Sequence, residues 1–150
     1  MTSLEFEKLR NKVGRKFREP KSLKKICDDL WIEYIKLKAG HKSEISGKEG
    51  RKIGGSAILT SHHIVGKPNL RLRYELENGI CLENGREHIF GVHNKFDTVV
   101  AKKYQDLIIK KIGEEKYNYL LSLRSGSHKI DLKIIKIYLE QNIANYRDKD

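Results

Sequence analysis

Four of the chain's six histidines lie within residues 62–93, in a window built from two short apolar runs joined by a turn-rich connection. His62 and His63 are adjacent, and His88 and His93 follow the second apolar run. Imidazoles from separate segments can meet only where those segments fold back on each other, so this window constrains the fold most strongly. Three imidazoles suit a divalent ion. A fourth, unligated ring is a general base at neutral pH.

The adjacent pair places a condition on its strand. Neighbouring side chains of a regular strand point to opposite faces, so His62 and His63 share a site only where the strand ends or twists. Gly66 and Pro68 supply such an ending. The alternative is a plain strand with one buried and one exposed histidine.

His88 and His93 are five residues apart. Such side chains diverge by about 140° on a regular α-helix, so one of them must lie at a helix end, or the helix must be irregular. Gly91 between them permits that. The alternative is two exposed histidines on a basic helix. Asn78 precedes Gly79, and an Asn-Gly pair is typical of a turn. The alternative is that the Asn78 carboxamide forms hydrogen bonds to the backbone across the loop and holds the strand ends in register.

The pattern along the chain predicts helices around this window. Strands are expected at 57–65 and 79–82, with a helix after Gly85. We expect a short amphipathic helix or a basic arm at 2–18. Further helices are expected from Ser22 to Gly40, at 99–112, at 117–123 and at 130–146, with a break at Gly113 and a hinge at 125–127.

Composition favours an anionic partner. The chain carries 31 Lys and Arg against 20 Asp and Glu, a net charge of +11. Phosphate contacts release counterions, so DNA is the expected partner, and simple surface charge is the alternative. The two cysteines, Cys27 and Cys81, favour no disulfide framework and a reduced cytoplasmic setting. No apolar run is long enough for a bilayer, and the charged start is unlike a secretory signal.

The line "SHHIVGKPNLRLRYELENGICLENGREHIFGVHNKF" resembles the HNH endonuclease family, also called the ββα-metal or His-Me finger fold. With the downstream "LIIKKIGEEKYNYLLSL", it is most similar to phage-type HNH endonucleases, over roughly residues 40–123. The resemblance implies that His62, His88 and His93 bind one divalent metal ion and that His63 is the general base. It implies that Asn78 orients the loop and strands.

The chain also departs from that family. Many relatives carry two Cys-x-x-Cys knuckles with a structural zinc, whereas Ser43, Ser46 and the 83–87 region stand at the corresponding places here. We therefore expect packing by the flanking helices to replace the zinc. The step from Asn78 to His88 is also one residue longer than usual, which leaves the choice between His88 and His93 as ligand open.

Imidazole ligands favour Zn, Ni or Mn over Mg, although Mn or Mg can support turnover. Phosphate contacts are expected from basic residues beside the site, each of which can instead be solvated surface charge: Lys67, Arg71, Arg73 and Arg86.

The sequence thus predicts an α+β protein with a small ββα-metal core flanked by N- and C-terminal helices. The expected parts are a basic helical region at 1–40, a nuclease core at 41–96 and C-terminal helices packing on it at 97–150. The predicted function is a phage-type, metal-dependent DNA endonuclease, cytoplasmic in a host cell and able to dimerise through its C-terminal helices. The alternatives are a catalytically decayed HNH-fold DNA-binding protein and a zinc-stabilised structural module.

Overall fold

The computed structural model describes Glu5, residues 21–125 and residues 129–149. Within these residues helices surround one two-stranded antiparallel sheet, which confirms the α+β class. The elements in chain order are α1 (Leu23–Lys38), β1 (Leu59–His63), α2 (Leu70–Tyr74), β2 (Gly79–Glu83), a π-helix (Asn84–Val92), α3 (Thr98–Ile112), α4 (Glu114–Ser122) and α5 (Leu132–Arg147). Short 3₁₀ turns lie at Arg51–Ile53 and Leu76–Asn78. The predicted helix or basic arm at 2–18, apart from Glu5, and most of the hinge at 125–127 lie outside the described residues.

The helix ends follow the expected signals. Ser22 caps α1 by accepting a hydrogen bond from the backbone N–H of Lys25 at 3.2 Å. Gly40, with φ of 63°, turns the chain shortly after α1 ends. Gly113, with φ of 91°, separates α3 from α4, and only glycine adopts such a backbone readily.

The sheet brings the histidine pair beside the first two residues of β2. His62 pairs with Ile80, and His63, the last residue of β1, pairs with Gly79. Gly79 lies in the strand rather than in a turn, and a Cβ there would lie 2.2 Å from the Ile35 side chain. Glycine is therefore needed for α1 to approach the sheet this closely.

Both faces of β2 are covered by helices. Cys81 joins a core formed mainly by α1 and α5, with Trp31 and Leu139 among its buried members. Ile80 and Leu82, on the opposite face, pack against Ile108 of α3. The alternation follows from the two-residue period of a strand. Among the described residues no helix is long and apolar enough to cross a membrane.

The connection between the two strands was predicted to be turn-rich, with Arg71 and Arg73 among the basic residues beside the site. The structure instead places both in α2, whose N-cap Asn69 accepts from the Leu72 N–H at 2.9 Å. Leu72 and Tyr74 are buried, so this short helix is held by packing rather than by helix propensity.

Candidate metal centre

Three histidines from two elements meet at one point. The ring centroids of His62 and His88 are 5.3 Å apart, those of His62 and His93 are 5.0 Å apart, and those of His88 and His93 are 4.7 Å apart. One ring nitrogen from each lies within 4.8 Å of the others. Nitrogen ligands of zinc stand about 2.0–2.1 Å from the ion, so small side-chain rotations are enough for this cluster to hold one.

The π-helix resolves the five-residue spacing of His88 and His93. In this helix type the backbone bonds join residues five apart, and the N–H of His93 donates to the carbonyl of His88 at 2.9 Å. The two side chains therefore face the same point, which they would not do on a regular α-helix. The structure brings both of them to His62.

Gly91 lets the π-helix pack tightly on α3. A Cβ at this position would lie 2.8 Å from the carbonyl oxygen of Arg86 and 3.0 Å from the Tyr104 ring. Any side chain here would push the π-helix away from α3. Gly91 thus sets the position of the two histidines on either side of it.

The environment favours the neutral form of His62 and His88. Burial, followed by the neighbouring His93 and His88, lowers the pKa of His62 to about 3. Burial and His93 also lower the pKa of His88. A neutral imidazole has a free lone pair for a metal ion. The Nδ1 atom of His88 is buried without a hydrogen-bond partner, so a bound cation would satisfy an otherwise orphaned atom.

His63 lies beside this cluster with its ring fixed on two sides. Its Nε2 is 3.0 Å from the carbonyl oxygen of Arg73, and because a carbonyl only accepts, Nε2–H must be the donor. The neutral ring then carries its lone pair on Nδ1. Trp31 stacks on the same ring at 3.9 Å with an interplanar angle of 4°. Burial is the main cause of the lowered pKa of His63.

One cleft of about 270 Å³ contains the adjacent pair. Its lining includes His62, His63 and His93 together with Gln105 and Tyr117. The pair shares this cleft because β1 ends at His63, as the argument from strand geometry required.

Asn78 is fully buried and joins three backbone groups. Its Oδ1 accepts from the Val65 N–H at 2.8 Å, and its Nδ2 donates to the carbonyls of Val65 and Leu72, both at 2.9 Å. The carboxamide therefore ties the end of β1 to α2 across the loop. It does not line the cleft with the histidines.

The four basic residues expected to contact phosphate have different surroundings. Lys67 is exposed beside the cleft, Arg86 is exposed on the π-helix, and Arg71 is half-buried on α2. Arg73 instead makes a bidentate ion pair with Asp28, with both N–O distances 2.7 Å. The structure thus gives Arg73 another role, since it links α2 to α1 and offers its carbonyl to His63.

A buried polar contact joins Ser43 to Glu87. The Ser43 hydroxyl donates to the buried Glu87 carboxylate at 2.6 Å, and the Glu83 N–H donates to the same oxygen at 2.7 Å. Ser43 also accepts from the N–H groups of Ile45 and Ser46, both at 3.1 Å. The expected replacement of a structural zinc by helix packing stays a prediction. Glu87 directly precedes His88, so the network anchors the π-helix.

Comparison of the chain with protein-family models, with curated proteins and with solved structures finds no match. The site therefore has to be interpreted from its own geometry. Sequence reasoning missed Asp28 as a partner of Arg73 and Trp31 as the residue that stacks on His63. No local pattern indicates these contacts, because the partners of each pair are more than thirty residues apart in the chain.

Proposed function

We propose that the chain is a metal-dependent DNA endonuclease with a ββα-metal core formed by β1, β2 and the π-helix. His62, His88 and His93 would hold one divalent ion, and His63 would be the general base. The observation that carries the proposal is the convergence of three imidazoles, one with an orphaned buried nitrogen, beside a fourth whose ring is held by a hydrogen bond outside the cluster.

The number of ligands favours a catalytic site over a structural one. Structural zinc sites are closed by four protein ligands, whereas catalytic sites use three and keep one position open. Among the described residues the group that could hold an ion has three members. One of them, His93, is exposed, so the open side of the site faces solvent.

The residues present match the needs of phosphodiester hydrolysis. Three neutral ligands leave the full charge of a divalent ion to stabilise the phosphate and the leaving oxygen. The Nδ1 lone pair of His63 can take the proton of an attacking water, since the Arg73 carbonyl holds Nε2–H. Trp31 keeps that ring from rotating.

Basic side chains at the surface support DNA as the substrate. Lys67 lies next to Gly66, which lines the cleft, and its charge is close enough to lower the pKa of His63. Lys67, Arg71 and Arg86 are the side chains we propose for phosphate contacts. The net charge of +11 adds a general attraction for a polyanion.

The test is plasmid nicking with Zn, Ni, Mn and Mg in parallel with metal analysis of each variant. Wild type is expected to cut with at least one ion. His63→Ala is expected to keep the ion but lose at least about 100-fold in rate, the usual contribution of a general base. His88→Ala is expected to lose both the ion and cleavage.

His41→Asn is the matched control, because it removes an imidazole outside the cluster. His41 has φ of 54°, a conformation that Asn tolerates. Loss of metal in His63→Ala would contradict its assignment as base. DNA binding without cleavage at any ion would favour the decayed HNH-fold binding protein. Unfolding on chelation without any DNA binding would favour the structural module.

A further inference from the structure

Large apolar side chains are exposed on the segment that carries His88 and His93. Phe96 is 98% exposed, Val99 is 77% exposed and Phe90 is 64% exposed. Single exposed apolar residues are common on proteins, but a concentration of them beside a polar site marks an interaction surface. Phe96 gains nothing from the fold itself, since its ring is almost entirely in solvent.

The turn that carries Phe96 is held by side-chain hydrogen bonds. Asn94 accepts from the N–H groups of Phe96 at 2.9 Å and Asp97 at 2.8 Å, and it donates to the Phe90 carbonyl at 2.9 Å. Asp97 then caps α3 by accepting from the N–H groups of Val99 and Val100. The ring of Phe96 is therefore presented by a fixed backbone, which lowers the entropy cost of binding through it.

Phe96 lies close to the metal centre along the chain. Three peptide units separate it from His93, so their Cα atoms are at most about 11 Å apart. Nucleotides in a stacked strand rise by about 3.4 Å each. A base on Phe96 would thus lie within a few nucleotides of a phosphate at the histidine cluster.

The surroundings of Phe96 are basic. Lys95 precedes it and is exposed. A shallow groove along α3 begins at Thr98 and is lined by Lys102, Lys103 and Lys110, and Asp106 in the same groove pairs with Lys102 at 3.1 Å. An exposed aromatic ring beside a lysine-lined groove is the arrangement that binds single-stranded nucleic acid, with phosphates on the lysines and a base on the ring.

Resting on the DNA-binding part of the function above, we propose that Phe96 stacks on an unpaired base near the scissile phosphate. The substrate class is then DNA with unpaired bases, such as single strands, bulges or flaps, rather than continuous duplex. Lysines bind phosphates in either form, whereas the ring finds a free base face only where pairing and stacking are interrupted.

The test measures the affinity of the metal-loaded full chain for labelled phosphorothioate oligonucleotides, which resist hydrolysis. The probes are a single strand, a matched duplex and the same duplex with a short bulge. Wild type is expected to prefer the two probes with unpaired bases. Phe96→Ala is expected to lose about 5- to 100-fold on those probes, the range for removal of one stacking contact, with matched-duplex affinity unchanged. Phe96→Trp is expected to retain the preference.

Ile58→Ala is the matched control, since Ile58 is 52% exposed and precedes β1, at the opposite end of that strand from His63. An equal loss on all probes, or no loss, would overturn the stacking role. A change in molecular mass of Phe96→Ala would instead assign the ring to contacts between copies.

If Phe96-dependent preference is seen without cleavage at any ion, the nuclease proposal alone fails. If the chain cuts and Phe96 has no effect, the inference alone fails. Absence of DNA binding overturns both.

Discussion

At the scale of single residues, Asn78 has the most demanding environment. It is buried and makes three hydrogen bonds to backbone groups on both sides of the loop. Asn78→Ala leaves these groups without partners, at a cost of about 2–4 kcal/mol in the free energy of unfolding. Asn78→Asp is expected to cost at least as much, because an oxygen replaces the amide that donates to two carbonyls. Urea unfolding of both variants measures this.

Asn142→Ala is the control for that prediction, because Asn142 is half-buried and its amide makes only a solvent-exposed hydrogen bond within α5, to the Tyr138 carbonyl. Its change in unfolding free energy should be within about 0.5 kcal/mol. Wild-type stability in Asn78→Ala would contradict the structural role. Retained stability with lost cleavage would assign Asn78 directly to catalysis.

The ion pair of Asp28 with Arg73 leads to a prediction of how the free energy of unfolding depends on pH. The hydrogen bonds of Asp28 with Arg73 are the main cause of a pKa below the usual value for a carboxyl group. Because the folded-state pKa is depressed, the stabilisation is complete above the unfolded pKa of about 3.9 and is lost as pH falls through the folded pKa. Asp28→Asn should lower the unfolding free energy by about 1–3 kcal/mol at pH 7, and the difference should shrink at low pH.

The neighbouring Asp29→Asn is the matched control for Asp28. Asp29 pairs on the surface with Lys21 and Lys25, so its replacement should cost less. Urea unfolding of the three proteins from neutral to acidic pH makes the comparison. A gap between wild type and Asp28→Asn that stays constant with pH would show that the ion pair is not its source.

Residue types and spacing predicted which histidines would meet, but not what holds them. The adjacent pair and the turn residues after it were enough to expect a shared cleft at a strand end. The ion pair of Asp28 with Arg73 and the stacking of Trp31 on His63 depend on where α1 docks. Such docking follows from packing across the whole fold and leaves no local pattern. For the same reason the sequence did not indicate that Arg73 pairs with Asp28, and Arg73 was expected to contact DNA phosphate instead.

At the scale of elements, the π-helix provides the irregularity that the spacing of His88 and His93 required. Gly91→Ala should push this helix from α3, since the added Cβ would meet backbone and the Tyr104 ring. We expect a loss of about 10-fold or more in zinc affinity, comparable to other changes that misorient metal ligands. Competition with a chromogenic chelator measures it.

Gly85→Ala, in the same helix, is the control, because its Cβ would meet only the flexible end of the Glu83 side chain at 3.1 Å. It should bind zinc nearly as wild type does. Equal zinc affinity in Gly91→Ala and wild type would mean that the histidines do not depend on the close approach of the two helices.

Element prediction succeeded where local chemistry decides and failed where tertiary packing decides. The strands, the Ser22 cap and the break at Gly113 follow from local signals. α2 was missed because five residues show little periodicity, and burial of Leu72 and Tyr74 stabilises it instead. The π-helix was expected only as an irregular helix or a helix end, because the five-residue spacing of His88 and His93 excludes a regular α-helix without identifying the helix type.

At the scale of the whole molecule, α1 and α5 close one core over β2 although they come from distant parts of the chain. The apolar residues of the last helix, α5, lie on two different faces. Ile135, Leu139 and Ile143 are buried in that core, while Ile134 and Ile137 are exposed. α5 therefore buries one apolar face in its own core and leaves a second apolar strip exposed to solvent, formed by Ile134, Ile137 and Tyr138. Sequence periodicity alone could not separate these two faces.

That uncovered strip is where we expect two chains to associate. Ile134, Ile137 and Tyr138 are each about half exposed or more, and they lie within five residues of α5, so they form a compact apolar patch.

Ile137→Lys places a charge in the middle of this patch and should reduce a dimer to a monomer, as measured by light scattering over a concentration series. Phe96→Ala is the matched control, since it removes an exposed apolar side chain on another surface and should leave the mass unchanged. A wild-type chain that stays monomeric at every concentration would contradict the dimer, whereas loss of the dimer in Phe96→Ala alone would move the contact to the turn beside the metal centre.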